Sequence, residues 1–143
     1  MIVGFGFTKL TAEKFGQGKG KIDINNNVSI KDVIEDNLSL GNENQNVVKF
    51  KFEFSSKYEP KLGSIICDGE VLYLADQKKI KEIMVMWKKE KKVQKEMMAG
   101  ILNAILTKCN VQALILSQQV NLPPPIPMPK VQMTQGQEQN YIG

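Results

Sequence analysis

The stretch Val47–Phe54, VVKFKFEF, restricts the fold more than any other part of the chain. Val48, Phe50, Phe52 and Phe54 alternate with Lys49, Lys51 and Glu53, and a period of two places the apolar set on one face of an extended strand. A strand with one wet face and one face that must be covered belongs to a one-sided antiparallel sheet. Three phenylalanines share that face, and each can bury about 150–250 Å2. The remainder of the chain has to supply the apolar cover.

Around this strand the sequence predicts others. Ile2–Phe15 reads as a strand with Phe5 and Phe7 on one side, followed by a flexible turn, Gly16–Lys21. That turn is one residue short of a phosphate loop and lacks the hydroxyl residue that would follow the lysine. Lys21–Ile30 reads as a second strand interrupted by Asn25, Asn26 and Asn27. Asp23, Asn25, Asn27 and Ser29 fall at alternate positions of a calcium loop, but Val28 stands where glycine is required and Ile34 where an acid is required. An asparagine-rich turn or bulge is expected instead. Ser29–Leu40 fits either a strand or a short helical turn. Gly41–Asn46 is a loop, and the phenylalanine strand is expected to end at Ser55-Ser56. Ser64–Leu74 is its partner, with Ile65, Cys67, Val71 and Tyr73 on one face and Gly69 marking a bulge or a close approach.

At Asp76 the period changes from two to that of a helix. Asp76 is an N-cap residue, and Ile80, Ile83, Met84 and Trp87 follow at i, i+3, i+4 and i+7. The opposite face is lysine: Lys78–Lys92 holds seven lysines and two glutamates. Gln94–Cys109 continues in helical period, and Val111–Val120 is a further apolar stretch better suited to helix than strand. Asn121–Pro129, NLPPPIPMP, must be extended, because proline fixes φ and donates no hydrogen bond. Residues 1–131 thus form one α+β domain: a four-stranded antiparallel meander followed by two or three helices packed on one face. Residues 132–143 have no apolar periodicity and are expected to be a flexible tail.

The chemistry-bearing residues argue against catalysis. The chain has no histidine, so the usual acid–base group near neutral pH is missing. Cys67 and Cys109 have neither metal-ligand spacing nor a neighbouring base, and read as reduced thiols. Asp68 and Glu70 form a carboxylate pair on one side of a strand, which fits a solvated edge better than an acid–base dyad. No apolar run approaches the roughly 20 residues that span a bilayer, and the first residues carry no secretory pattern, so a cytoplasmic protein is expected. The net charge is +4 and all 19 basic residues are lysine. Without arginine, bidentate reading of phosphate or guanine is not expected, nor is specific DNA binding.

The linear pattern resembles a known family. A strand start Gly6-Phe7-Thr8-Lys9, a Cys67-Asp68 step, a methionine- and isoleucine-rich helix from Met97 to Cys109, and the segment Leu122-Pro123-Pro124-Pro125-Ile126-Pro127 follow one another as in SecB-type protein-export chaperones. The likeness is greatest to the divergent SecB-like proteins of archaea. This resemblance implies an ATP-independent holdase without cofactor or metal, a homotetramer, and apolar grooves that bind unfolded or nascent polypeptides. It places Ile80, Met84, Trp87, Leu122 and Ile126 as candidate client-binding residues. The family also docks its motor through acidic positions on the outer sheet face. Asp68 matches one of these, whereas Leu10 and Lys14 stand at the first strand's equivalents. The alternative from the residues themselves is a basic ribosome- or RNA-associated protein that uses the Lys78–Lys92 helix. Met84, Met86, Met97 and Met98 add flexible apolar side chains in one region, a composition suited to promiscuous binding.

Overall fold

The phenylalanine strand is the centre of a four-stranded antiparallel sheet. The computed structural model describes residues 1–17, 20–41 and 43–129, with the backbone alone at Leu40. Gly18 and Lys19 of the glycine-rich turn and all of the expected tail, 132–143, lie outside the described residues. The strands are β1 (Ile2–Lys14), β2 (Asp23–Leu40), β3 (Glu43–Glu59) and β4 (Gly63–Leu74), and two helices follow, α1 (Gln77–Glu90) and α2 (Lys95–Gln119). Val48, Phe50, Phe52 and Phe54 are all buried, as the alternation predicts, while Lys51 on the opposite face is exposed. β3 does not stop at the serines. It runs on to Glu59, because Ser56 and Tyr58 continue the covered face against Ile65 and Gly63 of β4.

The spatial order is β1-β4-β3-β2. Only β2, β3 and β4 form a meander; β1 lies on the far side of β4. The physical reason is at Gly69. A Cβ there would strike the Phe52 ring and the Gly6 carbonyl oxygen, so the missing side chain lets β1 and β3 meet across β4. Phe5 stacks on Phe52 at 5.3 Å between centroids, and Phe7 meets the same ring edge-on at 6.5 Å. Of the bulge or close approach expected at Gly69, the close approach is present there, and the bulge lies on the facing strand, between Phe7 and Lys9. It carries Leu10 and Lys14 into register with Cys67 and Gly63. These two residues therefore share the helix-covered face and are not on the outer face with Asp68.

β2 is one long strand. Asn25, Asn26 and Asn27 pair in register with Lys57, Ser56 and Ser55, and the irregularity lies further on, between Ile30 and Asp32. Asparagine is tolerated because β2 is an edge strand whose side chains at these positions reach water or other polar groups. The outer sheet face is polar. Lys49 Nζ lies 3.1 Å from Asp36 Oδ2 and 3.8 Å from Glu70 Oε1, so Glu70 is an ion-pair partner. The Asn37 N–H, together with Lys49, holds the Asp36 carboxyl below the usual range.

The helices cover the other face. Asp76 caps α1 by accepting from the Lys79 N–H at 2.8 Å, and Lys91 ends it in a left-handed conformation with its N–H on the Trp87 carbonyl. α2 runs unbroken through both apolar stretches, so the described residues form two helices. Its stripe of Ile101, Ile105, Cys109, Ala113 and Ser117 is buried, chiefly against β4. Cys67 and Cys109 are free and buried in the same core, and the contact with Cys67, together with burial, pushes the Cys109 thiol up. By length and composition α2 is apolar enough to cross a membrane, contrary to the reading of shorter apolar runs, though a core helix meets the same criterion. Only 22% of its most apolar window is buried within the chain. Val111 and Ile115, one turn apart, are 58% and 45% exposed.

Candidate functional site

Beyond α2 the proline segment crosses back over the sheet. Asn121 takes a positive φ of 57°, which turns the chain, and Leu122 then drops into the core beside Gly63. Prolines offer carbonyls without N–H groups, so the segment is held by side-chain donors from the sheet. The Tyr58 hydroxyl donates to the Pro123 carbonyl, and Asn26 Nδ2 donates to the Pro125 carbonyl at 2.8 Å. Asn26 is itself positioned by Ser56, whose hydroxyl donates to Asn26 Oδ1 at 2.6 Å. Burial pushes the Tyr58 phenol up to about 12. These bonds fasten Pro123–Pro125 but leave a cleft of about 530 Å3 alongside, lined by Ile22, Ile24, Ile126 and Met128 among others.

The structure separates the five sequence-derived candidates. Ile80, Trp87 and Leu122 are buried in the chain's own core. Met84 is half-buried and packs against that core. Ile126 is half-buried and lines the proline cleft. The candidates therefore do not form one groove: Ile126 is the one beside open space. Trp87 has its indole N–H buried without a hydrogen-bond partner among the described residues, and Lys91 Nζ stands 5.3 Å from its ring centroid. Ile22, Ile24 and Met128 are additional lining residues. The alternation of Ile22 and Ile24 was their signal, but nothing local ties it to a segment about a hundred residues later.

A second open groove lies between α1 and the start of α2, with Met86 and Met97 among its lining residues. Of the methionines noted in the sequence, Met86 and Met97 line the groove, and Met97, like Met84 and Met98, also packs against the core. Lys79 Nζ donates to Gln94 Oε1 at 2.8 Å, joining the two helices. Engaged in this way, the Gln94 side chain makes no capping bond to α2.

Four antiparallel strands followed by two helices on one face make this an α+β protein of the SecB-like fold. The fold is similar to that of the Mycobacterium tuberculosis Rv1957 SecB-like chaperone, whose structure is of a complex with a ChAD peptide from the Rv1956 HigA1 antitoxin. The TM-score is 0.52 at 12% sequence identity, over 91% of this chain and 89% of that one. No family model and no curated protein sequence matches the chain.

Proposed function

We propose that this protein is an ATP-independent holdase that binds unfolded or nascent polypeptides, with the proline cleft as a client site. The observation that carries the reading is the cleft itself. Ile22, Ile24, Ile126 and Met128 stay beside open space while the adjoining Leu122 and Tyr58 are fully committed to the core. A holdase needs such apolar surface and release by mass action; it needs no catalytic group or cofactor. The SecB-like fold and the peptide bound by the Rv1957 neighbour support it. A cytoplasmic, non-enzymatic protein serving export is part of the same proposal. Assignment to the archaeal branch rests on the linear pattern ending in Leu122–Pro127.

We further propose a homotetramer. α2 keeps Val111 and Ile115 uncovered, and the β1 edge keeps Ile2, Val3 and Leu10 at 38%, 37% and 41% exposure. Apolar side chains in such positions are suited to cover by further copies of the chain. The RNA- or ribosome-associated reading draws its support from the exposed lysines of α1 and differs in its steep salt dependence.

The test is suppression of aggregation of a chemically unfolded substrate at moderate salt, with particle mass measured by light scattering. Suppression that Ile126→Asp weakens is the expected result. Absence of suppression by the unaltered protein overturns the holdase reading.

A further inference from the structure

The groove between α1 and the first turn of α2 measures about 790 Å3 and shares no lining residue with the proline cleft. Its apolar part comes from Ile83, Val85, Met86 and Met97. Val85 is 62% and Met86 39% exposed, on a helix whose other exposed positions are mostly charged. Lys78, Lys79, Lys81 and Lys89 stand around this floor, against only Glu82 and Glu90. Among the described residues none of the four lysines makes an ion pair.

We propose that this groove docks an acidic polypeptide segment: two apolar side chains about one helical turn apart, flanked by aspartates or glutamates. The apolar floor would take the two anchors out of water, and the flexible thioethers of Met86 and Met97 adapt to their shape. Each exposed lysine–carboxylate pair adds little to affinity. Together the lysines select the sign of the partner's charge and speed encounter. The shape and lining favour a peptide over single-stranded RNA, because the groove has no aromatic side chain on which a base could stack. The chain also has no arginine to grip a phosphate in two places. The site stands whether or not the proline cleft binds clients.

Fluorescence anisotropy of the full chain with three labelled peptides tests this. One carries Leu and Met four residues apart between glutamate flanks, the second has the same core between lysine flanks, and the third keeps the glutamates with serines at both anchors. The first should bind roughly tenfold more tightly than either of the others. Lys78→Glu, Lys81→Glu and Lys89→Glu together should reverse the preference between flanks, and Met86→Asp should weaken the first peptide. These side chains lie at the surface, and an unchanged urea midpoint for each variant would show the fold intact. Equal binding of the three peptides, no binding, or a preference that survives charge reversal would overturn the proposal. So would an oligouridylate that binds in place of the peptide and loses affinity in the triple variant. Aggregation suppression by the triple variant, read separately, reports on the holdase proposal alone.

Discussion

The Tyr58 hydroxyl is bonded to the main-chain carbonyl of Pro123, tying the third strand to the proline segment 65 residues further on. Tyr58→Phe keeps the ring and removes the bond, so it should cost about 1 kcal/mol. It should also speed hydrogen exchange at Leu122 and Ile126. Unaltered exchange there would mean that packing and the Asn26–Pro125 bond hold the segment without the Tyr58 bond.

The same phenol makes stability fall at high pH. Its folded pKa of about 12 lies above the ordinary value of 10, because burial disfavours the phenolate. The neutral form is therefore the one the fold favours. Its contribution is complete below about pH 10 and is lost as pH rises toward 12. Since lysines deprotonate in the same range, the informative quantity is the difference in urea midpoint between wild type and Tyr58→Phe. That difference should shrink above pH 10, and a constant difference would contradict the assignment.

Gly69→Ala should destabilise the chain by about 1–3 kcal/mol through overpacking. The added methyl group meets the Phe52 ring on one strand and the Gly6 carbonyl on another, and a backbone atom cannot swing aside. Urea denaturation measures the loss. A variant as stable as the wild type would show that β1 can shift along β4 without penalty.

Trp87 belongs to the core, so Trp87→Ala should act on stability, at about 3–5 kcal/mol, before it acts on any client. Trp87→Phe should cost much less, since the indole N–H it removes has no partner among the described residues. If Trp87→Ala left the denaturation midpoint unchanged, the burial of this ring would be wrong.

Val111→Asp with Ile115→Asp should lower the particle mass in light scattering while leaving the far-ultraviolet circular dichroism of the chain largely intact. Both side chains lie outside the buried stripe of α2. An unchanged mass would put the subunit contact elsewhere, with the β1 edge the next surface to alter.

What the sequence revealed depended on how local the signal was. The phenylalanine face, the Asp76 cap and the stripe of α1 are patterns with short periods, and each is present in the structure. Asn25–Asn27 were misleading because asparagine is a poor strand residue in general. At this edge Asn26 has Ser56 and the Pro125 carbonyl as partners. The neighbour of β1 could not be read, since the space at Gly69 that admits Phe5 and Phe7 has meaning only once three strands are assembled. Likewise, periodicity marked Ile80, Met84 and Trp87 as one apolar stripe, and the family resemblance added Leu122 and Ile126, but neither says which of them the chain covers. Leu122 finds a seat made by Gly63, whereas Ile126, four residues later, has passed beyond it.

The strand order also sets a schedule for folding. β2, β3 and β4 are joined by short turns and can zip together as neighbours, but β1 has to wait for a partner that begins at Gly63. Until β4 is made, Phe5 and Phe7 have no strand beside them, and closing that long loop is slow relative to forming the hairpins. During synthesis residues 2–14, made before β4, would thus be an exposed apolar stretch in their own right, the kind of segment that holdases retain. Pulse-labelled hydrogen exchange during refolding should show the amides of residues 2–14 protected last.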